Sequence, residues 1–98
     1  MARSKQQQSK HDAKVLQVAE GLSRMGYKVE ADLAGFSRPD TINGFRPDVV
    51  ARKGWDRIIV EVETRDSLNT ARDQAQQRAF KAAADRAKRT TFQRKVAE

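Results

Sequence analysis

The segment Pro47-Asp48-Val49-Val50-Ala51-Arg52-Lys53-Gly54-Trp55-Asp56-Arg57-Ile58-Ile59-Val60-Glu61-Val62-Glu63 reads as two strands joined by a tight turn. Apolar residues run through 49–51 and 58–62, and Lys53-Gly54-Trp55-Asp56 between them is turn chemistry. Residues 47–52 and 57–63 are therefore predicted to form a hairpin. Side chains alternate across a strand, so Ile58, Val60 and Val62 point one way while Ile59, Glu61 and Glu63 point the other. Glu61 and Glu63 then stand about 7 Å apart on one face, from the rise of a strand. An antiparallel hairpin lays the start of its first strand beside the end of its second, which carries Asp48 to the same place.

Working outward, Val15, Leu16, Val18, Ala19, Leu22 and Met25 form an apolar stripe with helical spacing from His11 onward, and Gly26 supplies the stop. Residues 27–33 alternate as a half-exposed strand, and 34–46 are rich in turn residues, reading as a loop or loose hairpin. A second helix is predicted over 68–88, with Asp66 or Ser67 as its N-cap, and residues 90–97 read as a last short strand with Phe92 and Val96 on one face. The order αβββαβ predicts an α/β fold: a small mixed sheet of three to four strands flanked by an N-terminal and a C-terminal helix.

At 98 residues the chain has room for one domain with a small core, and 34% charged residues leave little apolar surface to spare. Residues 1–10, polar and basic, read as a disordered tail ahead of a single domain over 11–98. No run has the length of a membrane span, and the N-terminus lacks a signal peptide's apolar stretch. The absence of cysteine excludes a disulfide scaffold, thiolate zinc sites and cysteine nucleophiles, and agrees with a cytoplasmic location. A net charge of +7 attracts polyanions, which makes DNA, or RNA, the expected partner; the same charge also suits a solubilising surface.

Two carboxylates at the end of so apolar a strand are costly unless something compensates them. Asp48, Glu61 and Glu63 offer three hard oxygen donors, which suit Mg²⁺ or Mn²⁺ rather than zinc. Such an ion lowers the pKa of bound water and neutralises charge building on a phosphate. The same positions equally fit a solvated edge strand whose glutamates pair with Arg57, Arg65 or Lys81. His11 reads as a capping-region or surface residue, and Glu20 as an exposed one.

Pro47-Asp48 followed by Glu61-Val62-Glu63 resembles the signature of the PD-(D/E)xK nuclease superfamily, in which a Pro-Asp opens one strand and an acidic-x-Lys triplet lies on the next. The order of elements is similar to that family's restriction endonuclease-like core. The resemblance implies a metal-dependent nuclease acting on DNA, with Asp48 and Glu61 as metal ligands. Glu63 stands where the family usually has its lysine, which positions the attacking water and stabilises the transition state. That cationic role then passes to Lys81 or Arg78 of the second helix, or to Lys53 of the turn. Gln76-x-x-x-Phe80 is similar to a Gln-x-x-x-Tyr element in some branches, and implies that Gln76 positions the water or a phosphate. Family nucleases often work as dimers, so a homodimer is also implied.

Basic residues gather in the C-terminal third; of these, Arg65 beside the carboxylates and Arg72 and Arg78 on the helix are the candidate phosphate contacts. Three functions stay open at this point. One is a nuclease in which Glu63 is a third ligand or water-orienting base. The others are a nucleic-acid-binding module that has lost catalysis, and a protein-interaction module on the same fold.

Overall fold

The computed structural model describes residues 4–98, and its elements are α1 (Lys5–Arg24), β1 (Lys28–Ala31), β2 (Val49–Lys53), β3 (Asp56–Glu63), α2 (Ala71–Arg86) and β4 (Thr90–Val96). The four strands form one sheet in the order β1-β2-β3-β4. Strands β1, β2 and β3 are an antiparallel meander, whereas β4 runs parallel to β3 and is reached through α2. The sheet is therefore mixed, with a helix at each end of the chain, as the residue pattern predicts.

The hairpin register pairs Val49 with Val60 and Lys53 with Asp56, closing a two-residue turn in which Gly54 takes φ +60°. Alternation then divides the core into two. On one face Val49, Val60 and Val62 pack with Val15 and Ala19 of α1, Ala31 and Ala97. On the other, Ile59 packs with Phe80 and Ala83 of α2, joined by the partly buried Ile42, Phe45 and Phe92. The rings of Phe80 and Phe92 lie 5.8 Å apart, tying α2 to β4.

Two helix starts differ from expectation, each for a local reason. Helix α1 begins at Lys5 rather than near His11, because the Ser4 side chain accepts the Gln7 N–H and caps it. Residues 4–10 of the expected tail are thus the cap and first turns of a helix, while residues 1–3 lie outside the described part. The apolar stripe is also narrower than expected: Leu16 and Met25 are exposed, and the buried line runs His11, Val15, Ala19. Helix α2 starts at Ala71 with Thr70 as its cap, not at Leu68. Ser67 spends its hydroxyl on Glu63 instead, and Asn69 takes φ +61°, which breaks the helical path. The last strand tolerates Gln93-Arg94-Lys95 because β4 is an edge strand.

Candidate active site

The carboxylates gather at one end of the sheet, where β2 begins and β3 ends. Continuing the register one step past Val49 and Val60 sets Asp48 opposite Glu61. Asp48, Glu61 and Glu63 are all buried, with 7%, 4% and 2% exposure. Burying three acids in a chain of this size requires strong local compensation, and the structure supplies it in two groups.

The first group centres on Asp48. Its Oδ2 accepts the Val62 backbone N–H at 2.8 Å, and its Oδ1 lies 3.1 Å from Nε2 of the buried His11. The other ring nitrogen of His11 is 3.1 Å from Asp12 Oδ1. The ring of His11 thus stands between two carboxylates, those of Asp12 and Asp48. The Glu61 carboxyl stands beside that of Asp48 and interacts with it. Burial pushes the Asp48 carboxyl up, but the hydrogen bonds from His11, Glu61 and Val62 and the His11 charge outweigh it and hold the carboxyl below its usual range.

The second group centres on Glu63 and Asp73. Glu63 Oε2 accepts the Ser67 hydroxyl at 2.5 Å, and the Asp73 carboxyl of α2 lies within interaction range of Glu63. Asp73 Oδ2 accepts the Asn69 N–H at 2.8 Å and pairs with Arg94 of β4 at 2.5 Å. Burial raises the Asp73 carboxyl, while the Asn69 N–H and the Arg94 guanidinium more than offset it and hold it low.

The fold thus brings Asp48 and Glu61 into contact and places Glu63 on the same face, committed to Ser67 and Asp73. Gln76 is half-buried on the sheet-facing stripe of α2, between Asp73 and Phe80. Lys81 and Arg78 are exposed and border a shallow pocket with Gln74, Gln77 and Phe92. Lys53 turns its ammonium to the Met25 carbonyl, at the opposite end of the hairpin. Among the described residues, none of these three cations makes an ion pair with the carboxylates. Arg65 is exposed just after β3, Arg72 lies over the Phe45 ring at 5.4 Å, and Glu20 is exposed.

Three residues of the site escape a reading of the sequence: His11, Asp73 and Arg94. His11 carried a signal, since it extends the Val15 and Ala19 line one helical turn back. Asp73 likewise lies on the line of Gln76 and Phe80, and Arg94 on the face of Phe92 and Val96.

The donor chemistry fits a hard divalent cation, because two adjacent buried carboxylates are what Mg²⁺ takes from a protein when waters complete its shell. Among the described residues no group of three or more His, Asp or Glu is placed as a ready metal shell. The fit is accordingly to two carboxylates, Asp48 and Glu61.

A family model for AHJR-like, restriction endonuclease-like proteins (REase_AHJR-like) matches residues 2–87, most of the chain. The protein belongs to this AHJR-like family. Its match agrees with the mixed sheet between two helices and with the PD-(D/E)xK resemblance of Asp48 and Glu61. An AHJR-like, restriction endonuclease-like identity implies nuclease-type chemistry on nucleic acid. No curated protein matches the chain. No described helix is long and apolar enough to cross a membrane.

Proposed function

We propose that this AHJR-like protein is a divalent-metal-dependent nuclease that hydrolyses phosphodiester bonds in DNA. The observation that carries the reading is the buried Asp48–Glu61 pair, two carboxyl groups set opposite each other at the end of β2 and β3. Stability alone gives no reason to bury both, and paired acids with displaced ionisation are a mark of functional sites.

Asp48 and Glu61 would hold Mg²⁺ or Mn²⁺. The ion, when bound, supplies a more acidic water and neutralises charge at the phosphate. His11 and the Val62 N–H hold Asp48 ionised and fixed in direction. Glu63 serves as a water-orienting base or further ligand, and Gln76, half-buried on α2, positions the water or a phosphate. Arg65, Arg72 and Arg78 follow the DNA backbone, with Lys81 beside them. Arg78 and Arg86 border a cavity of about 370 Å³ floored by Ala75, Ala79 and Ala82, and this basic trough runs along α2 away from the carboxylates. Contacts of this kind carry affinity without reading sequence. A cytoplasmic location belongs to the same proposal, and a homodimer would let the protein cut both strands.

Incubation with duplex DNA and Mg²⁺ or Mn²⁺ tests the proposal. Cleavage is expected, and Asp48→Asn and Glu61→Gln should each abolish it; cleavage that persists in both variants would overturn the assignment. Glu63 in the lysine's place favours a second reading, a DNA-binding module without catalysis. It predicts salt-sensitive DNA binding with no turnover under either metal.

A further inference from the structure

The site as described holds an excess of acids, yet a phosphodiester brings more negative charge to it. A cation is needed, and Glu63 occupies the strand position where the superfamily motif has one. We propose that Arg94, held in place by Asp73, is the phosphate-binding group of this site and supplies from β4 the positive charge that β3 lacks. The inference rests on the reading of Asp48 and Glu61 as the hydrolytic pair. Arg94 lies beyond the residues 2–87 that match the family, so the match says nothing of it.

Register puts it there. The parallel ladder pairs Arg94 with Glu61 and, two residues earlier, Phe92 with Ile59. Phe92 meets Phe80 of α2, so Phe92 and Arg94 both project from the face that carries Glu61 and Glu63. The Arg94 side chain is only 26% exposed, and its Nη2 sits 2.5 Å from Oδ2 of Asp73, whose own side chain is 1% exposed.

Asp73 is built to hold a guanidinium still. Its carboxylate is fixed by the Asn69 N–H and by its position in the first turn of α2. A guanidinium has five N–H groups in a planar fork. Asp73 engages the group through Nη2, while Nε is buried without a hydrogen-bond partner among the described residues, so N–H groups remain for phosphate oxygens, which suit the fork geometry. Arg78 and Lys81, by contrast, are exposed on α2 and would have to be ordered on binding.

The test compares the full chain with R94Q and R94K, using a short duplex oligonucleotide. Cleavage is followed with Mn²⁺, binding is measured with Ca²⁺ over a range of salt, and folding is checked by circular dichroism. R94Q is expected to lose about 100-fold in cleavage rate, and the slope of log K against log salt should fall by about one. R94K should recover part of both losses, which a purely structural pin would not predict. Should R94Q fail to fold because Asp73 is left uncompensated, the double variant D73N/R94Q removes both charges and carries the same comparison. A folded R94Q, or double variant, that cleaves and binds as the wild type does would overturn the proposal. Wild type that binds DNA without cutting it would instead sink the nuclease reading, and the salt slope would still decide Arg94.

Discussion

His11 Nε2 of helix α1 lies 3.1 Å from Oδ1 of Asp48, the residue just ahead of β2, and both side chains are nearly closed to solvent. The contact joins the helix to the acidic end of the sheet. It also gives Asp48 a polar partner that needs no metal.

Removing that partner should therefore cost stability. His11→Ala leaves Asp48 buried beside Glu61 with the Val62 N–H as its remaining backbone donor. Loss of one partner of a buried, charge-assisted hydrogen bond costs about 2 kcal/mol. Urea denaturation should show a lower midpoint at unchanged slope; a midpoint equal to wild type would show that the contact carries no stability.

Metal binding should stabilise the fold measurably. At a Mn²⁺ concentration about 100 times Kd the gain is about 2.7 kcal/mol, a rise in Tm on the order of 10 °C in a domain of this size. The rise should vanish in Asp48→Asn and in Glu61→Gln, and persist in a surface control such as Glu20→Gln. A shift of the same size in the two site variants would place the ion elsewhere.

The acid limb of the stability curve follows from Asp48 and Asp73. Both carboxyls are held below their ordinary value, Asp48 by His11 and Glu61 against burial, Asp73 by the Asn69 N–H and Arg94 against burial. In the unfolded chain each titrates near the reference value, about 3.9. The unfolded state thus binds more protons in acid, so their contribution is complete above about pH 4 and is lost as pH falls through the lower folded values. Urea midpoints should be flat from neutral pH down to about 5 and drop below about 4. Asp73→Asn should drop less steeply, and an unaltered slope in that variant would count against the role of Asp73.

The second core rests on one ring. Phe80 is fully buried between Ile59, Ala83 and Phe92. Phe80→Ala should cost about 3–5 kcal/mol, a large part of the stability of a chain this short. Trp55, 87% exposed at the hairpin turn, should tolerate Ala within about 0.5 kcal/mol. Thermal melts of the two variants side by side check the contrast, and a comparable loss from Trp55→Ala would mean that the turn is covered.

The sequence by itself determined the hairpin and what it carries. Strand alternation is a property of the backbone, so Ile58, Val60 and Val62 could only fall opposite Ile59, Glu61 and Glu63. The two-residue turn at Gly54-Trp55 then fixes the register that brings Asp48 to Glu61. Nothing distant is needed for either step. The tertiary structure alone decided that His11 reaches Asp48, that Ser67 leaves the helix to hold Glu63, and that Asp73 and Arg94 meet beside the acids. Each of these depends on how a helix is seated on the sheet, or on a parallel pairing made across a whole crossover. Helical and strand periods say which face a residue occupies, but not which residue of another element will stand before it. A buried charge makes that distinction matter, because it must find its partner wherever packing sets one.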